Sequence, residues 1–320
     1  LLDQSGTKLN LDDLGFEDDV VASMRRIITA PYGIVLLCGP TGCGKSTTLY
    51  SFLRELNTTG VNIVTVEDPV EYRVEGVNQT HVKSKIGLTF ANCLRTILRQ
   101  DPDIVMVGEI RDLETLEVAV RASLTGHLVF STLHTNTAIS SATRMVNMGL
   151  QPYLISATLN AALSQRLVRK VCQGCAKREK LKPMAREALE RALGQDVDFE
   201  VMQRVGCAEC GYTGYKGRLA VNELFEPSDD IRDLISHGAE EHELIAAARA
   251  NGMKFLIDNA WRKLKAGTTT VEEVLSLGFQ KAEDAAALTR NRRNEGAIEL
   301  DFDTEPPEGA TIDFDANPPG

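Results

Sequence analysis

The sequence predicts an α/β fold with a central sheet that contains parallel strands. Four short runs rich in Val, Ile and Leu lack polar alternation, as expected of strands buried on both faces. These runs are GIVLLCG (33–39), VNIVTVED (61–68), PDIVMVGE (102–109) and GHLVFSTLH (126–134). Helical patterns at 45–57, 90–100 and 113–123 separate them. Strands alternating with helices favour parallel pairing through right-handed crossovers.

The second half of the chain changes character. Residues 152–169 have a helical pattern, and 171–220 contain two C-x2-C pairs around the amphipathic segment MAREALERALG. Residues 228–278 predict two or three small helices, one of which closes on Gly252 as a cap.

Composition limits the class of protein. With 320 residues, 43% hydrophobic and 25% charged, the chain suits one or two globular domains with appendages. No apolar run approaches the roughly 18 residues of a membrane-spanning helix. The chain starts at Leu1 without a secretory signal pattern, so we expect a fragment of a longer cytosolic protein.

The C-terminal segment carries most of the net charge of −10. Residues 295–320 hold eight acids and no Lys or Arg, which leaves 35 basic against 37 acidic residues, a net of −2, in the remainder. This nearly neutral body argues against general nucleic-acid affinity. The tail lacks apolar surface and is predicted to be disordered. A solubilising role is favoured over a docking motif that displays Phe302 and Phe314.

The segment GPTGCGKST fits the phosphate-loop pattern G-x4-G-K-[ST] between a strand and a helix. Its glycines let main-chain N–H groups surround phosphates, and the helix N-terminus attracts the same anion. Lys45 is placed for the outer phosphates, and the Ser46 hydroxyl for Mg²⁺. The predicted ATP-binding residues are Gly39, Pro40, Thr41, Gly42, Cys43, Gly44, Lys45, Ser46 and Thr47.

Three further cysteines lie outside the C-x2-C pairs. Cys43 is either an oxidation-sensitive thiol at a helix N-terminus or a small residue that fits the loop, and the second interpretation is favoured. Cys38 and Cys93 are predicted to be small core residues.

Acidic residues follow two of the predicted strands. Glu67 and Asp68 end the second strand, and Glu109 follows the third, one residue later than the usual magnesium-binding aspartate. Ligands of open α/β sheets collect at the carboxyl ends of the strands. A functional role is therefore favoured over a solvated turn.

Four segments together resemble the type II secretion and type IV pilus assembly ATPases. GPTGCGKSTTLY, VTVEDPVEY, GLTFANCLRTILRQDPDIVMVGEIRD and LTGHLVFSTLHTN are similar to the Walker A, Asp box, Walker B and His box of that family. The resemblance extends from about Leu11 to Gly278 and implies a RecA-like P-loop NTPase core. The implied organisation is a linker (1–16), an ATPase core (17–170), a zinc subdomain (171–221), a helical subdomain (222–280) and an acidic tail (281–320).

The resemblance also implies roles for individual residues. Glu67 would polarise the attacking water, while Glu109, with Ser46 and Asp68, would hold the magnesium shell. His134 would sense the terminal phosphate, and His127 is a secondary candidate. Arginines would stabilise transition-state charge, although surface ion pairs are the alternative. They are Arg95, Arg99, Arg111 and Arg144.

Two C-x2-C pairs predict a structural zinc site. Cys172 and Cys175 are followed by Cys207 and Cys210. Four thiolates can surround one Zn²⁺ tetrahedrally and leave no open position for chemistry. A disulfide or a redox pair is the less favoured alternative. By resemblance, such a module belongs to the assembly and export branch, since retraction motors generally lack it.

The expected function is a hexameric ATP-hydrolysing motor that assembles a pilus or a secretion pseudopilus, with Mg²⁺ and structural Zn²⁺. Its expected partners are an inner-membrane platform protein and a cytoplasmic adaptor, which would hold this cytoplasmic protein at the membrane periphery. No specific nucleic acid is expected. The alternatives are a nucleotide-gated switch with little hydrolysis, and a DNA-handling or pilus-retraction motor of the same superfamily.

Overall fold

A mixed sheet forms the centre of the protein. The computed structural model describes residues 10–193 and 199–278. Within these residues the strands are β1 (Gly33–Cys38), β2 (Ile63–Glu67), β3 (Asn78–His81), β4 (Ile104–Val107), β5 (Leu128–Leu133), β6 (Leu159–Val171), β7 (Lys177–Lys180), β8 (Glu200–Gln203) and β9 (Tyr215–Phe225). The central sheet has the order β3-β2-β4-β5-β1-β6-β9, and β7 pairs with β8 separately. All neighbours in the central sheet are parallel except β6 and β9, which confirms the predicted fold class.

Helices cover both faces of this sheet. One face carries α1 (Asp18–Ile28) and α2 (Lys45–Leu56), and the other carries α3 (Phe90–Ile97), α4 (Leu113–Leu124), α5 (Ser140–Asn147) and α6 (Pro152–Thr158). The whole of β1 is buried, with Ile34 and Leu36 in the α3–α6 core and Val35 and Leu37 in the α1–α2 core. Burial on both faces explains why the sequence of this strand lacks alternation of polar and apolar residues. Cys38 and Cys93 are buried in the core, as predicted.

The predicted helix at 152–169 is wrong beyond its first two turns. The chain leaves α6 at Thr158 and continues as β6, which pairs with β1 on one side and β9 on the other. Leu, Ala, Gln and Arg favour helices locally, but hydrogen bonding and burial between two strands outweigh that preference.

The C-terminal part packs against two different regions of the central sheet and its helices. The insert contains α7 (Pro183–Leu193), as its amphipathic pattern predicted. Four helices follow instead of two or three: α8 (Asp229–Ser236), α9 (Glu241–Ala250), α10 (Leu256–Lys265) and α11 (Val271–Leu275). Helices α8 and α9 bury their apolar residues in the α3–α6 core. A third apolar cluster joins α7, α10 and α11 to β6, β8 and β9, and it includes Val168, Leu189, Val201, Leu264 and Val274.

Some predicted segments lie outside the described residues. These segments are residues 1–9 of the predicted linker and the whole acidic tail, which includes Phe302 and Phe314. The division into domains stays a prediction. Across the described parts of the chain, no helix combines the length and the apolarity needed to cross a membrane.

Candidate nucleotide site

The carboxyl ends of four parallel strands bring the predicted site residues to one edge of the sheet. Strands β1, β5, β4 and β2 are consecutive neighbours. Parallel strands spaced by about 4.8 Å place their following loops side by side. The loops after β1, β2, β4 and β5 begin at Gly39, Asp68, Gly108 and His134, respectively.

The glycine-rich loop between β1 and α2 requires its glycines. Gly39, Gly42 and Gly44 have φ angles of 139°, 80° and 94°, a region that side chains rarely tolerate. A Cβ atom on Gly39 would lie 2.7 Å from both the Cys43 Sγ and the Gln165 carbonyl oxygen. The tip residues Pro40, Thr41 and Gly42 are exposed. The loop therefore presents main chain, and little side chain, to a ligand.

The first turn of α2 supplies a cation and a hydroxyl beside the loop. The Lys45 Nζ donates to the carbonyl oxygens of Gly39 (2.8 Å) and Pro40 (3.0 Å). Ser46 is exposed on the same turn, and Thr47 is half-buried. The ammonium group is thus held within the loop where phosphate charge would arrive.

Cys43 packs inside the loop. It is 4% exposed, and this burial raises the pKa of its thiol, although the nearby Lys45 charge acts in the opposite direction. A raised pKa disfavours the thiolate, which is the reactive form. The packing interpretation of Cys43 is the one that this environment supports.

Glu67 ends β2 with its carboxylate turned toward α2. Its Oε2 accepts a hydrogen bond from the Tyr50 hydroxyl. Its Oε1 accepts from Thr65 Oγ1 at 2.5 Å and from Gln79 Nε2 at 3.1 Å. Glu67 is 4% exposed. Burial, together with the Glu67 carboxylate, raises the pKa of Tyr50, so this hydroxyl stays a proton donor. Both oxygens of Glu67 are engaged by neutral groups, one of which belongs to the helix that begins at Lys45.

Glu109 lies closer to solvent, in the loop after β4. Its Oε1 pairs with the Arg111 guanidinium at 2.6 Å, and its Oε2 lies 3.5 Å from the His134 Nε2. Its side chain is 13% exposed. The hydrogen bond to Glu109 raises the pKa of Arg111, to which the Asp68 charge also contributes. The structure therefore brings Glu109, Arg111 and His134 together.

Main-chain bonds fix the position of Glu109. The Gly108 N–H donates to the Val66 carbonyl at 2.8 Å, and the Thr132 hydroxyl donates to the Gly108 carbonyl at 2.8 Å. The Ile110 N–H donates to the Thr132 carbonyl at 3.1 Å. Both residues that flank Glu109 are thus tied to the neighbouring strands β2 and β5.

The other predicted site residues are not in this group. Asp68 is exposed and lies 3.8 Å from His81. Arg95 pairs with Glu114 on the surface, while Arg99 and Arg144 are exposed. These three arginines are not brought to Glu109.

His127 lies at the opposite edge of the sheet. It precedes β5, and its carbonyl accepts from the N–H of Gly33, the first residue of β1. The phosphate loop begins after the sixth residue of β1, about 16–20 Å along the strand. The His127 Nδ1 lies 2.9 Å from the Ala122 carbonyl oxygen, which is the environment of a structural histidine.

Gln165 is a loop-contacting residue that the sequence did not predict. Its Nε2 donates to the Cys43 carbonyl at 2.7 Å, and its Oε1 accepts from the Thr48 hydroxyl at 3.0 Å. A Cβ on Gly44 would lie 2.9 Å from the same Nε2. Only the pairing of β6 with β1 brings Gln165 here, and no local sequence pattern shows that pairing.

The four cysteines of the C-x2-C pairs converge at the base of the insert. Their sulfur atoms all lie within 4.8 Å of one another. The Cys172–Cys207, Cys175–Cys210 and Cys207–Cys210 sulfur distances are 4.0, 3.9 and 3.8 Å. Tetrahedral zinc with bonds of about 2.3 Å separates its sulfur ligands by about 3.8 Å. N–H groups of Gly206, Cys207 and Gly214 point at the sulfur atoms from 3.2–3.3 Å. This geometry fits one tetrahedral metal ion.

A parallel sheet with a glycine-rich loop between β1 and α2 defines the class of phosphate-loop α/β proteins. Within that class, the sequence profile of the family "Type II/IV secretion system protein" matches residues 1–276. The chain belongs to this family.

Individual relatives agree with that assignment. The chain is 47% identical over 275 residues to the type II secretion system protein HxcR of Pseudomonas aeruginosa, covering 86% of this chain and 55% of that protein. It is also 47% identical to the type IV pilus assembly ATPase PilB of Thermus thermophilus, covering 86% of this chain and 31% of that protein. The chain thus spans about half or less of these curated relatives.

A solved structure shows the same fold. The pilus retraction motor PilT, determined with bound ADP, superimposes with a TM-score of 0.63 at 32% identity. The match covers 84% of this chain and 66% of that one. The predicted ATPase-type core is therefore confirmed at the level of the fold.

Proposed function

We propose that this chain is the ATP-hydrolysing region of a motor that drives type II secretion or type IV pilus assembly. The observation that carries the proposal is the meeting, at one sheet edge, of the phosphate loop with Glu109, Arg111 and His134. The names of its relatives support the biological setting, since they are secretion and pilus assembly proteins.

Binding of the triphosphate would depend on charge neutralisation. The loop offers main-chain N–H groups, and Lys45 adds a full positive charge. Ser46 and Glu109 offer a hydroxyl and a carboxylate, which are the hard oxygen ligands that Mg²⁺ prefers. Bound Mg²⁺ would supply charge neutralisation at the transferred phosphate.

The geometry favours Glu109 over Glu67 as the carboxylate that meets the metal shell and the attacking water. Glu109 is partly open to solvent and is fixed by both neighbouring strands. Glu67 is buried and accepts three hydrogen bonds from neutral groups. We therefore assign Glu67 as a positioning residue that acts through Tyr50 on α2. This division differs from the one that the family resemblance implies.

His134 and Arg111 complete the proposed catalytic group. Each contacts one oxygen of Glu109, so both orient that carboxylate. His134 also lies directly after β5, within reach of the edge where the terminal phosphate would sit. A neutral imidazole can donate one hydrogen bond there, and a protonated one can donate two.

Zinc would stabilise the insert rather than take part in hydrolysis. The four cysteines would occupy every position of a tetrahedral ion. In the proposed assembly the chain forms a hexamer that acts on an inner-membrane platform protein and an adaptor, as a cytoplasmic protein at the membrane periphery. Nucleic acid has no part in this proposal.

ATP turnover by the Lys45→Ala variant tests the activity. We expect the wild-type chain, assembled as an oligomer, to release phosphate, and Lys45→Ala to lose at least about 100-fold in rate because one charge-stabilising group is removed. Lys180→Ala removes an equivalent charge from the exposed strand β7 and should retain the wild-type rate. Equal turnover in Lys45→Ala and wild type would refute the proposal. Tight ATP binding by a wild-type oligomer that does not hydrolyse would point to a nucleotide-gated switch.

The division between the two glutamates has a separate test. Glu109→Gln should bind ATP but hydrolyse it at least about 100-fold more slowly. Glu67→Gln and Tyr50→Phe should have similar, smaller defects, and the double variant should be no worse than Tyr50→Phe because both substitutions act on one shared contact. Additive effects of Glu67→Gln and Tyr50→Phe on turnover would contradict the positioning role.

A further inference from the structure

Arg166 lies one residue beyond Gln165 on β6, on the other side of the phosphate loop. In the pairing of β6 with β1, Ser164 is opposite Cys38, the last residue of β1. Gln165 and Arg166 therefore extend past the end of β1 to the level of the loop. Successive side chains of a strand point to opposite faces. Gln165 meets α2 and Cys43, whereas Arg166 meets the loop that follows β5.

Two hydrogen bonds fix the Arg166 guanidinium. One terminal nitrogen donates to the Gln165 carbonyl at 3.1 Å, and the other donates to the Asn136 carbonyl at 3.0 Å. The first of these nitrogens would also lie 3.2 Å from a Cβ atom on Gly39. The guanidinium thus bridges the start of the phosphate loop and the segment two residues after His134.

Two positive charges consequently flank the same glycine. Lys45 donates to the Gly39 carbonyl at 2.8 Å, and a terminal nitrogen of Arg166 would lie 3.2 Å from a Cβ atom on the same glycine. Within residues 10–193 and 199–278, neither cation has a carboxylate within ion-pair distance, although Arg166 is half-buried. The buried Glu223 carboxylate feels the Arg166 charge only from beyond that distance. Neighbouring like charges disfavour each other unless an anion lies between them. The arrangement is therefore complementary to a multiply charged anion.

We propose that Arg166 is a phosphate-binding residue, supplied by the same chain as the phosphate loop, that contacts the terminal phosphate of ATP. This inference rests on the proposed function and extends it. The position of Arg166 indicates which phosphate it contacts. Arg166 donates to Asn136 in the segment that also carries His134, and His134 contacts Glu109. A guanidinium has five N–H donors in a planar fork, and the two carbonyl contacts leave donors for a phosphate oxygen.

The preference for ATP over ADP measures this contact. Dissociation constants for Mg-ATP and Mg-ADP are determined by calorimetry on wild type, Arg166→Gln and Arg166→Lys under conditions that prevent turnover. We expect the ratio of the ADP constant to the ATP constant to fall about 10- to 100-fold in Arg166→Gln, as for loss of a charge-assisted hydrogen bond. Arg166→Lys keeps the charge without the fork and should retain more of the ratio. Arg178→Gln, on the exposed strand β7, is the matched control and should leave the ratio unchanged.

The outcomes separate this inference from the function on which it rests. An unchanged ratio in Arg166→Gln, whether or not both nucleotides bind more weakly, would overturn the terminal-phosphate contact and leave only a structural bridge to Asn136. If Arg166→Gln does not fold, Arg166→Lys replaces it in the test. The contact would then be overturned if Arg166→Lys had the wild-type ratio of the ADP to the ATP dissociation constant and a lower thermal stability in the absence of nucleotide. Failure of wild type itself to bind Mg-ATP would instead refute the proposed function.

Discussion

Replacing Tyr50 by Phe tests whether the buried carboxylate of Glu67 is a structural anchor of α2. The substitution removes one hydroxyl, which donates to Glu67 Oε2 and accepts the Glu71 N–H at 3.2 Å. The Tyr50 ring keeps its place, since the residue is 1% exposed and packs in the α1–α2 core. The variant therefore reports on the hydroxyl and not on the ring.

The magnitude follows from the partners of this hydroxyl. A hydrogen bond to a charged group contributes roughly 1.5–3 kcal/mol, and a buried partner left unsatisfied adds to the loss. Thr65 and Gln79 still donate to the other oxygen of Glu67, which keeps the expected destabilisation near 2 kcal/mol. With an unfolding entropy of roughly 2.1 cal/mol/K per residue, that loss lowers the melting temperature of a chain of this size by roughly 3–4 °C.

Urea denaturation and thermal melting of the protein without nucleotide measure the effect. Tyr72→Phe is the matched control, because the Tyr72 ring stacks edge-on against Tyr50 at 5.4 Å while its hydroxyl has no hydrogen-bond partner in the described part of the chain. We expect Tyr72→Phe to change the free energy of unfolding by less than about 0.5 kcal/mol. A Tyr50→Phe variant as stable as Tyr72→Phe would show that Glu67 does not anchor α2, and the positioning role would fall with it.

Three other predictions concern separate parts of the molecule. Gly39→Ala should abolish nucleotide binding in calorimetry, since its Cβ would lie 2.7 Å from two atoms and its φ is 139°. The control variant Gly60→Ala, with open space around its Cβ, should bind nucleotide normally. Chelation of zinc, or Cys207→Ser, should increase proteolysis between β7 and β9 and lower the melting temperature, and an unaltered digestion pattern would argue against a structural metal. Burial raises the pKa of Glu223, so the contribution of this group to stability declines as pH rises through the raised pKa. The free energy of unfolding of wild type relative to Glu223→Gln should therefore fall as pH rises above 4.5, and equal slopes for the two proteins would contradict this.

The sequence was sufficient to predict the elements whose signals are local. The phosphate loop has a fixed spacing of glycines and lysine within one short segment, so its pattern is visible in the sequence. The four cysteines likewise occur as two adjacent pairs whose sulfur atoms meet in the structure. Strands β1, β2, β4 and β5 were predictable because helices cover both faces of the sheet. Their sequences are therefore apolar on both faces and lack the alternation of polar and apolar residues.

Features that depend on strand pairing were not predictable in the same way. The residues of β6 favour a helix locally and predict one, while the burial of this strand comes from β1 and β9. Gln165 and Arg166 were missed for this reason, since they reach the phosphate loop only through that pairing. His127 and His134 flank one strand in the sequence, but the two ends of a strand lie at opposite edges of the sheet. The hydrogen bonds of Glu67 were similarly invisible, because Tyr50 and Gln79 belong to other elements.

The decisive measurement is a structure of the chain with Mg²⁺ and a non-hydrolysable ATP analogue. We expect the outer phosphates between Lys45 and Arg166, Mg²⁺ at the Ser46 hydroxyl, and the Glu109 carboxylate one water molecule from the metal. We also expect Glu67 to keep its bond to Tyr50. An analogue bound away from the Gly39–Thr47 loop, or a Glu67 that has left Tyr50 to meet the attacking water, would contradict these expectations.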